Sequence, residues 1–288
     1  MAALRELTDG SIAPYSAVYL GFPYCRLYPG NLMTNGEDLA RAIDLLHREG
    51  KKAYLSTPAA PSTADLDWIT GSVRRAAAEG VDGVCAHNLG VTRLVSREYP
   101  GLRLHTGPFA NVYTDLTARL LSGYGVKRVA PHFELSLAEM RLIGIDSGLE
   151  IEVLVHGKMA LAITDHCHPV TDLGRSCPEA CSEDLWLVTG DLALKPAGLA
   201  MFSGRDVCLA EHLDQLVNPS FVFRVETLTE TPDYRRTVGE IYRRALGGAG
   251  CGAAELAGLA RLSPRGLCNG YYFGISGRTY VNGKGEIA

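Results

Sequence analysis

The chain has 288 residues and a formal net charge of −4, and 47% of its residues are hydrophobic while 21% are charged. This apolar content is typical of globular domains and excludes disorder as the main state. The acidic balance, without a run of lysine and arginine, argues against a nucleic-acid surface, because such surfaces neutralise phosphates. We therefore expect a small-molecule substrate rather than a nucleic acid.

The start of the chain and its hydropathy predict where the protein resides. The opening MAALRELTDG has no charged region followed by an apolar stretch, so we expect no secretory signal. No run approaches the roughly 20 apolar residues of a membrane span, so we expect a cytoplasmic protein without one. In that reducing compartment, the eight cysteines are more often metal ligands or reactive groups than disulfides.

Apolar runs of strand length alternate with segments of helical periodicity from residue 16 onward. Parallel strands need crossover connections, so this alternation predicts a parallel sheet. The predicted strands are Ala17–Phe22, Ala53–Thr57, Gly83–His87, Leu102–Thr106, Arg128–Pro131, Ile151–His156, Leu199–Ser203 and Phe221–Glu226. The predicted helices are Glu37–Glu49, Ala64–Glu79, Val91–Glu98, Val112–Ser122, Leu137–Ile145, Arg205–Leu216 and Tyr234–Leu246.

This order of elements predicts an α/β fold, namely a TIM-barrel-like (β/α)8 barrel over residues 1–246. An open doubly wound sheet is the alternative, although no GxGxxG or P-loop pattern follows the first strand. Residues 157–198, after strand six, are too long for an ordinary loop and predict a cysteine-rich insertion. Residues 247–288 are rich in glycine and predict a short C-terminal appendage.

Three cysteines of the insertion are closely spaced. Cys167, Cys177 and Cys181 follow a C-x9-C-x3-C pattern, and Cys25 follows the first predicted strand. In a barrel, the insertion and Cys25 open onto the C-terminal face, where such enzymes hold their active sites. Thiolates favour zinc and iron–sulfur clusters. We therefore predict that the four cysteines share one metal site.

Other cysteines and histidines are open to two interpretations. Cys208 is predicted on a helix after strand seven, as core filler or as a reserve ligand for the metal site. Cys85 lies within strand three, and we predict it to be core, since free cysteines are often small buried hydrophobes. His166 and His168 flank Cys167 and either replace a thiolate or support one through hydrogen bonds.

Charged and imidazole side chains stand at predicted strand ends. His105 and His156 end strands four and six, where they act either as acid, base or ligand or as hydrogen-bonded structural residues. Arg224 and Glu226 share one face of strand eight, and form a structural ion pair or bind a carboxylate substrate. We predict His105, His156 and Glu226 as catalytic, and Arg224 and Asn111 as substrate-binding.

Several segments resemble the collagenase-like peptidase family U-32. They cover most of residues 16–246 in order, and they read VDGVCAHNLGVTRLVSREYPGLRLHTG, GVKRVAPHFELSLAEM, EVLVHGKMALAITDHC, SGRDVCLAEHLDQLV and FVFRVETLTETPDYRRTVGEIYRRAL. The family fold is similar to a TIM barrel. Many members resemble iron–sulfur proteins that support oxygen-independent hydroxylation, and some hydroxylate bases of tRNA or ribosomal RNA.

In its cysteine set, the chain is most similar to the ubiquinone-biosynthesis branch of this family. Cys25 in YLGFPYC, followed by Cys167, Cys177 and Cys181, matches the ligand order of that branch, whereas Ala160 stands where larger branches carry a cysteine. The resemblance implies a [4Fe-4S] cluster. It also implies a heterodimer with another family member, which hydroxylates a small aromatic or quinone-precursor substrate with prephenate as hydroxyl donor.

The resemblance leaves other functions open. FVFRVET, which contains Arg224 and Glu226, is closer to the larger branches than to the ubiquinone branch. The chain is alternatively a non-catalytic, cluster-bearing partner of a larger family member, or an RNA-base hydroxylase. The family name also suggests a metal-assisted protease, although the chain has no HExxH motif.

Overall fold

The computed structural model describes residues 3–25, 30–164, 166–177, 179–228 and 230–287. In these ranges the strands are β1 Ala17–Leu20, β2 Lys52–Ser56, β3 Gly83–Ala86, β4 Arg103–Thr106, β5 Val126–Val129, β6 Glu150–Ile163, β7 Leu187–Thr189, β8 Leu192–Ala197, β9 Ala200–Cys208, β10 Phe221–Val225 and β11 Leu267–Cys268. The α-helices are α1 Gly36–Arg48, α2 Leu66–Ala78, α3 Leu89–Glu98, α4 Asp115–Gly123, α5 Leu137–Ser147, α6 His168–Thr171, α7 Glu179–Ser182, α8 Pro232–Arg244 and α9 Ala253–Leu262. None of these helices combines the length and the apolarity that crossing a bilayer requires.

The first half of the chain forms the predicted strand–helix units for local reasons. At the start of α1, the Asn35 side chain accepts a hydrogen bond from the backbone of Asp38, which satisfies one of the free N–H groups of the first turn. Leu39, Ile43 and Leu46 lie on one face of this helix and are buried against the sheet. The prediction of an α/β fold is confirmed.

Strands β1 to β6 are parallel and follow one another across a curled sheet, and β10 adds to β6, also in parallel. Within the described ranges, no backbone ladder joins β10 to β1, so the sheet is a half-barrel. A complete (β/α)8 barrel is not confirmed. The edge between the first and the last parallel strand instead becomes a cleft.

The seventh predicted strand is confirmed as a strand, but not as a parallel strand of a barrel. All of Leu199–Ser203 except Leu199 lies in β9, which runs antiparallel to the second half of β6, with Ile163 paired to Ala200 and His156 to Cys208. β6 is 14 residues long and continues well beyond the parallel sheet, so it provides an edge for a returning strand. A short apolar run reveals neither the direction of a strand nor its partner, which explains the error.

The helix predicted over Arg205–Leu216 is also only partly correct. Its first residues complete β9, and a 3-10 helix then spans Ala210–Leu216. Cys208 is therefore the last residue of a strand, and its side chain is fully buried.

The remaining elements surround this antiparallel extension. α6, α7 and the β7–β8 hairpin lie between the two halves of the extension in sequence, and β8 pairs with β9. In the C-terminal segment, β11 pairs in parallel with β9, and the Asn269 side chain donates to the backbone oxygens of Cys208 and Val281. These contacts pack the C-terminal segment against β9.

Candidate functional site

The four cysteines predicted as ligands line one pocket of about 590 Å³, here called the cysteine pocket. Cys25 follows β1, Cys167 precedes α6, Cys177 precedes α7, and Cys181 lies on α7. Cys177 is exposed and the other three are half-buried. The fold thus brings together side chains that are more than 140 positions apart in the sequence.

A turn and an asparagine hold two of these cysteines in place. Gly198, between β8 and β9, has a φ of +58°, and a Cβ added to it would lie 3.0 Å from the Cβ of Cys25. Its backbone N–H also donates to the sulfur of Cys181. On the other side, the buried Asn31 side chain donates to the backbone oxygen of Cys25 over 2.9 Å. Only glycine combines this backbone conformation with such close contacts.

The electrostatics of the pocket favour neutral thiols when no cation is present. Burial, together with the neighbouring Cys167, Cys177 and Cys25, raises the pKa of Cys181 to about 11. Burial, followed by the proximity of Cys167, also raises the pKa of Cys177. A bound metal centre reverses this preference, because its positive charge stabilises each thiolate.

The spacing of the sulfur atoms indicates which kind of metal centre fits. Among the described residues, no three of the four sulfur atoms lie within 4.8 Å of one another. Four thiolates on one zinc ion lie about 3.8 Å apart, given tetrahedral Zn–S bonds of about 2.3 Å. The cysteines are therefore not arranged as a preformed tetrahedral zinc site, and four thiolates are a ligand set that iron–sulfur clusters also use.

A second cavity lies in the gap between β1 and β10, here called the β1–β10 cleft. Its volume is about 350 Å³, and Tyr19, Glu152, Arg224 and Glu226 are among the residues that line it. Tyr24 lines both this cleft and the cysteine pocket. A single aromatic side chain thus forms part of the wall of each.

The Tyr24 hydroxyl group is buried without a hydrogen-bond partner among the described residues. Tyr24 also borders an inner cavity of about 30 Å³ with Glu152, Arg224 and Glu226, which is large enough for a water molecule. Burial, followed by the negative charge of Glu226, raises the pKa of Tyr24 above its usual range. The hydroxyl therefore stays protonated and is available to donate a hydrogen bond.

Arg224 is held between two carboxylates. Its guanidinium lies 2.7 Å from Glu226 and 3.2 Å from Glu152, and it stacks 5.3 Å above the ring of Tyr19. Arg128 lies 3.6 Å from the other oxygen of Glu152. Arg224 thus forms the structural ion pair that its spacing from Glu226 allowed, while both side chains still face the cleft. The lining of the cleft also includes Lys52 and Arg235, so polar groups of a bound ligand would meet both cationic and carboxylate side chains.

His105 lies beneath the cleft and is fully buried. Its Nε2 accepts a hydrogen bond from Arg103 over 3.1 Å, which leaves the proton on Nδ1, 3.3 Å from the hydroxyl of Tyr19. Tyr19 in turn donates to Glu152. Burial and the nearby Arg128 and Arg103 lower the pKa of His105 to about 2. In this arrangement the imidazole is neutral and orients Tyr19, which lines the cleft.

His156 and Cys208 are not brought to the cleft or to the cysteine pocket. Both are buried beside Tyr242 of α8, whose hydroxyl lies 3.3 Å from Nδ1 of His156 and 3.8 Å from the sulfur of Cys208. That hydroxyl donates its proton to the backbone oxygen of Val155, so His156 is the donor to it. Asn111 is exposed, has a φ of 53° and is absent from the lining of both cavities.

Sequence reasoning missed several residues of this region, among them His87. This side chain is buried at the carboxyl end of β3, its Nε2 lies 3.1 Å from the Ser56 hydroxyl, and its Nδ1 has no partner among the described residues. Burial and the charge of Arg224 lower its pKa to about 3. Tyr24 packs edge-on against it, with ring centroids 6.2 Å apart. The available signals were the position of His87 two residues after Cys85 and that of Tyr24 directly before Cys25.

Comparison with known proteins identifies the family. The sequence profile of Peptidase family U32 matches residues 9–282. "Uncharacterized protease MJ0090" of Methanocaldococcus jannaschii is 29% identical over 77% of this chain and 59% of its own length. "tRNA hydroxylation protein P" of Escherichia coli is 31% identical over 52% of this chain and 34% of its own length. "tRNA hydroxylation protein P2" of Bacillus subtilis is 22% identical over 73% of this chain and 72% of its own length.

The chain spans about half the length of most of the curated relatives it matches. Among solved structures, "The Structure of the U32 Peptidase Mk0906" is similar with a TM-score of 0.45 and 16% identity, over 57% of this chain and 68% of that one. Because the family profile extends over nearly the whole sequence, the chain belongs to peptidase family U32.

Proposed function

We propose that this chain supports an oxygen-independent hydroxylation, with a [4Fe-4S] cluster on its four pocket cysteines and a ring-shaped substrate in the β1–β10 cleft. The observation that carries this proposal is Tyr24, which lines both cavities. A redox centre and a polar substrate site separated by one side chain are an arrangement that such a reaction needs. The names of the relatives, several of which refer to tRNA hydroxylation, favour the same reaction class.

In this proposal the residues have distinct roles. Cys25, Cys167, Cys177 and Cys181 hold the cluster, which supplies one-electron chemistry when it is bound. Arg224 and Glu226 bind the polar groups of the substrate, and the protonated hydroxyl of Tyr24 donates a hydrogen bond to it.

The substrate that we propose is a small aromatic or quinone-precursor molecule. Besides Tyr24, the side chains of Tyr15, Tyr19 and Tyr54 line the cleft and provide surfaces for an aromatic ring. Conversion of a ring C–H to C–OH removes two electrons from the substrate. A hydroxyl donor such as prephenate accepts them as it gives up its oxygen, so molecular oxygen is not needed. A partner chain of the same family is part of the proposal.

A base of tRNA is the second candidate substrate, because six curated relatives are named for tRNA hydroxylation. A nucleobase is also a flat polar ring. The two candidates differ in what the rest of the substrate requires, since tRNA binding depends on phosphate contacts and weakens steeply with salt. The acidic net charge of −4 favours the free ring.

The cluster is tested by anaerobic purification. We expect a brown protein with about four irons and four sulfides per chain. Cys167→Ser and Cys181→Ser should lose the visible absorption, whereas Cys251→Ser, outside the pocket, should retain it. A colourless protein that holds zinc, or iron that persists in both pocket variants, would refute the cluster.

The substrate is tested by product analysis in cells with and without the gene, grown without oxygen. We expect loss of a hydroxylated quinone precursor, restored by the wild-type chain and not by Cys167→Ser. Loss of a hydroxylated tRNA base instead would establish the second candidate. Collagen-peptide digestion that survives Cys167→Ala would support a protease and contradict both.

A further inference from the structure

A second group of metal-binding side chains lies beside the cysteine pocket. One donor atom from each of His166, His168 and Asp172 lies within 4.8 Å of the other two. The Nδ1 of His168 is 2.6 Å from one oxygen of Asp172, and the Nε2 of His166 is 3.6 Å from the other. Among the described residues, no other group of three histidine, cysteine, aspartate or glutamate side chains has its donor atoms within this distance of one another.

Local backbone hydrogen bonds hold these three residues in position. His168 and Asp172 are one helical turn apart at α6, and the Asp172 N–H donates to the His168 oxygen over 2.9 Å. The Thr164 hydroxyl donates to the His166 oxygen over 2.8 Å, and the Thr164 N–H donates to the backbone oxygen of Leu199, directly before β9. The arrangement therefore needs little further ordering to bind an ion.

We propose that His166, His168 and Asp172 form a mononuclear site for a divalent first-row transition ion. Two imidazoles and one carboxylate suit Fe²⁺, Co²⁺ or Zn²⁺, and they leave coordination positions open for water or an oxygen-bearing ligand. Their side chains are 48%, 27% and 51% exposed, so an ion reaches them directly from solvent. This site uses no thiolate, and it is distinct from the cluster that we propose for the cysteine pocket.

The experiment must show whether His166 binds an ion together with Asp172 or together with the cysteines. His166 also lines the cysteine pocket, so its imidazole has two possible uses. If it joined the cysteines, a bound ion would have mixed nitrogen and sulfur ligands. The distances of 2.6 and 3.6 Å to Asp172 instead favour the site without sulfur.

The experiment measures cobalt binding to the cluster-loaded chain by dialysis and elemental analysis. We expect one Co²⁺ per chain in addition to iron. Loss of even an outer-shell partner weakens metal binding about 10–100-fold, so Asp172→Asn and His168→Gln should weaken it by at least that much. Asp191→Asn is the matched control, since Asp191 is an exposed aspartate on the β7–β8 turn, and it should leave binding unchanged.

A second measurement uses a variant in which all four pocket cysteines are serine. It should still bind Co²⁺, with weak visible bands and no thiolate-to-cobalt charge transfer. The proposal is overturned if neither protein binds cobalt, or if Asp172→Asn binds it as the wild type does. It is also overturned if the wild type shows a charge-transfer band that Cys167→Ser abolishes. If the serine variant does not fold, dialysis of the cluster-loaded chain decides the question alone.

Discussion

Replacement of Arg224 by methionine tests whether the ion pairs of the β1–β10 cleft stabilise the fold. The change preserves most of the side-chain volume and removes the positive charge between Glu226 and Glu152. Both carboxylates are largely shielded from water, with side chains that are 13% and 3% exposed. Each would then be a buried charge without its closest cation.

The size of the effect follows from what each carboxylate retains. Removal of one partner of a buried ion pair costs about 3–5 kcal/mol of unfolding free energy. Glu152 keeps Arg128 at 3.6 Å and the hydroxyl of Tyr19, while Glu226 keeps the backbone N–H of Leu228. We therefore expect the lower end of the range, about 3 kcal/mol.

Urea denaturation at pH 7, followed by circular dichroism, measures this cost. Arg48→Met is the matched control, because both side chains of the Arg48–Asp44 pair of α1 are more than half exposed. It should cost only about 0–1 kcal/mol. The double variant Arg224→Met/Glu226→Gln should recover part of the loss, since it removes the stranded charge.

The reasoning is refuted if Arg224→Met costs no more than Arg48→Met, or if adding Glu226→Gln gives no recovery.

Three further predictions concern other parts of the site. Gly198→Ala should lower the iron content of the protein, because the new Cβ would lie 3.0 Å from the Cβ of Cys25. Gly190→Ala is the control for backbone strain, since Gly190 has a φ of +56° and a Cβ added to it meets no atom within 4 Å. Burial lowers the pKa of His87 to about 3, so its contribution to stability is complete above about pH 6.5 and declines below it by about 1.4 kcal/mol per pH unit. In urea titrations, His87→Gln should reduce the slope of the unfolding free energy against pH by this amount, while the slope from the buried His105 remains. Tyr24→Phe should leave the unfolding free energy unchanged or raise it, because it deletes an unpartnered buried hydroxyl, and a loss above about 1 kcal/mol would contradict that.

Parallel strands and the convergence of the cysteines were predictable because both follow from simple rules. A strand–helix alternation implies parallel order, and the carboxyl ends of parallel strands meet at one edge. Cys25 follows β1, and the other three cysteines follow the long β6, so their meeting needed only the topology. The sheet is a half-barrel rather than a complete barrel, but the segments that follow β1 and β6 still meet at the same edge.

Positions that depended on tertiary contacts were not predictable. His156 ends the segment that was predicted as strand six, as His105 ends strand four, yet it contacts Tyr242 of α8 rather than the cleft. The difference arises where β6 continues and β10 shifts register between Arg224 and Val225, beside His156. Sequence spacing carries no information about such an irregularity. His105 and His156 both end predicted strands, so both were predicted to be catalytic.

The adjacency of Tyr24 and Cys25 in the chain links the two cavities mechanically as well as in space. Asn31 fixes this segment from both ends, because its side chain accepts from the backbone of Phe22 and donates to that of Cys25. A metal centre bound to Cys25 would therefore also affect the position of Tyr24. Among the described residues, the Tyr24 hydroxyl has no hydrogen bond that would hold this side chain in place. If the proposed cluster binds to Cys25, its loss should therefore also weaken ligand binding in the β1–β10 cleft.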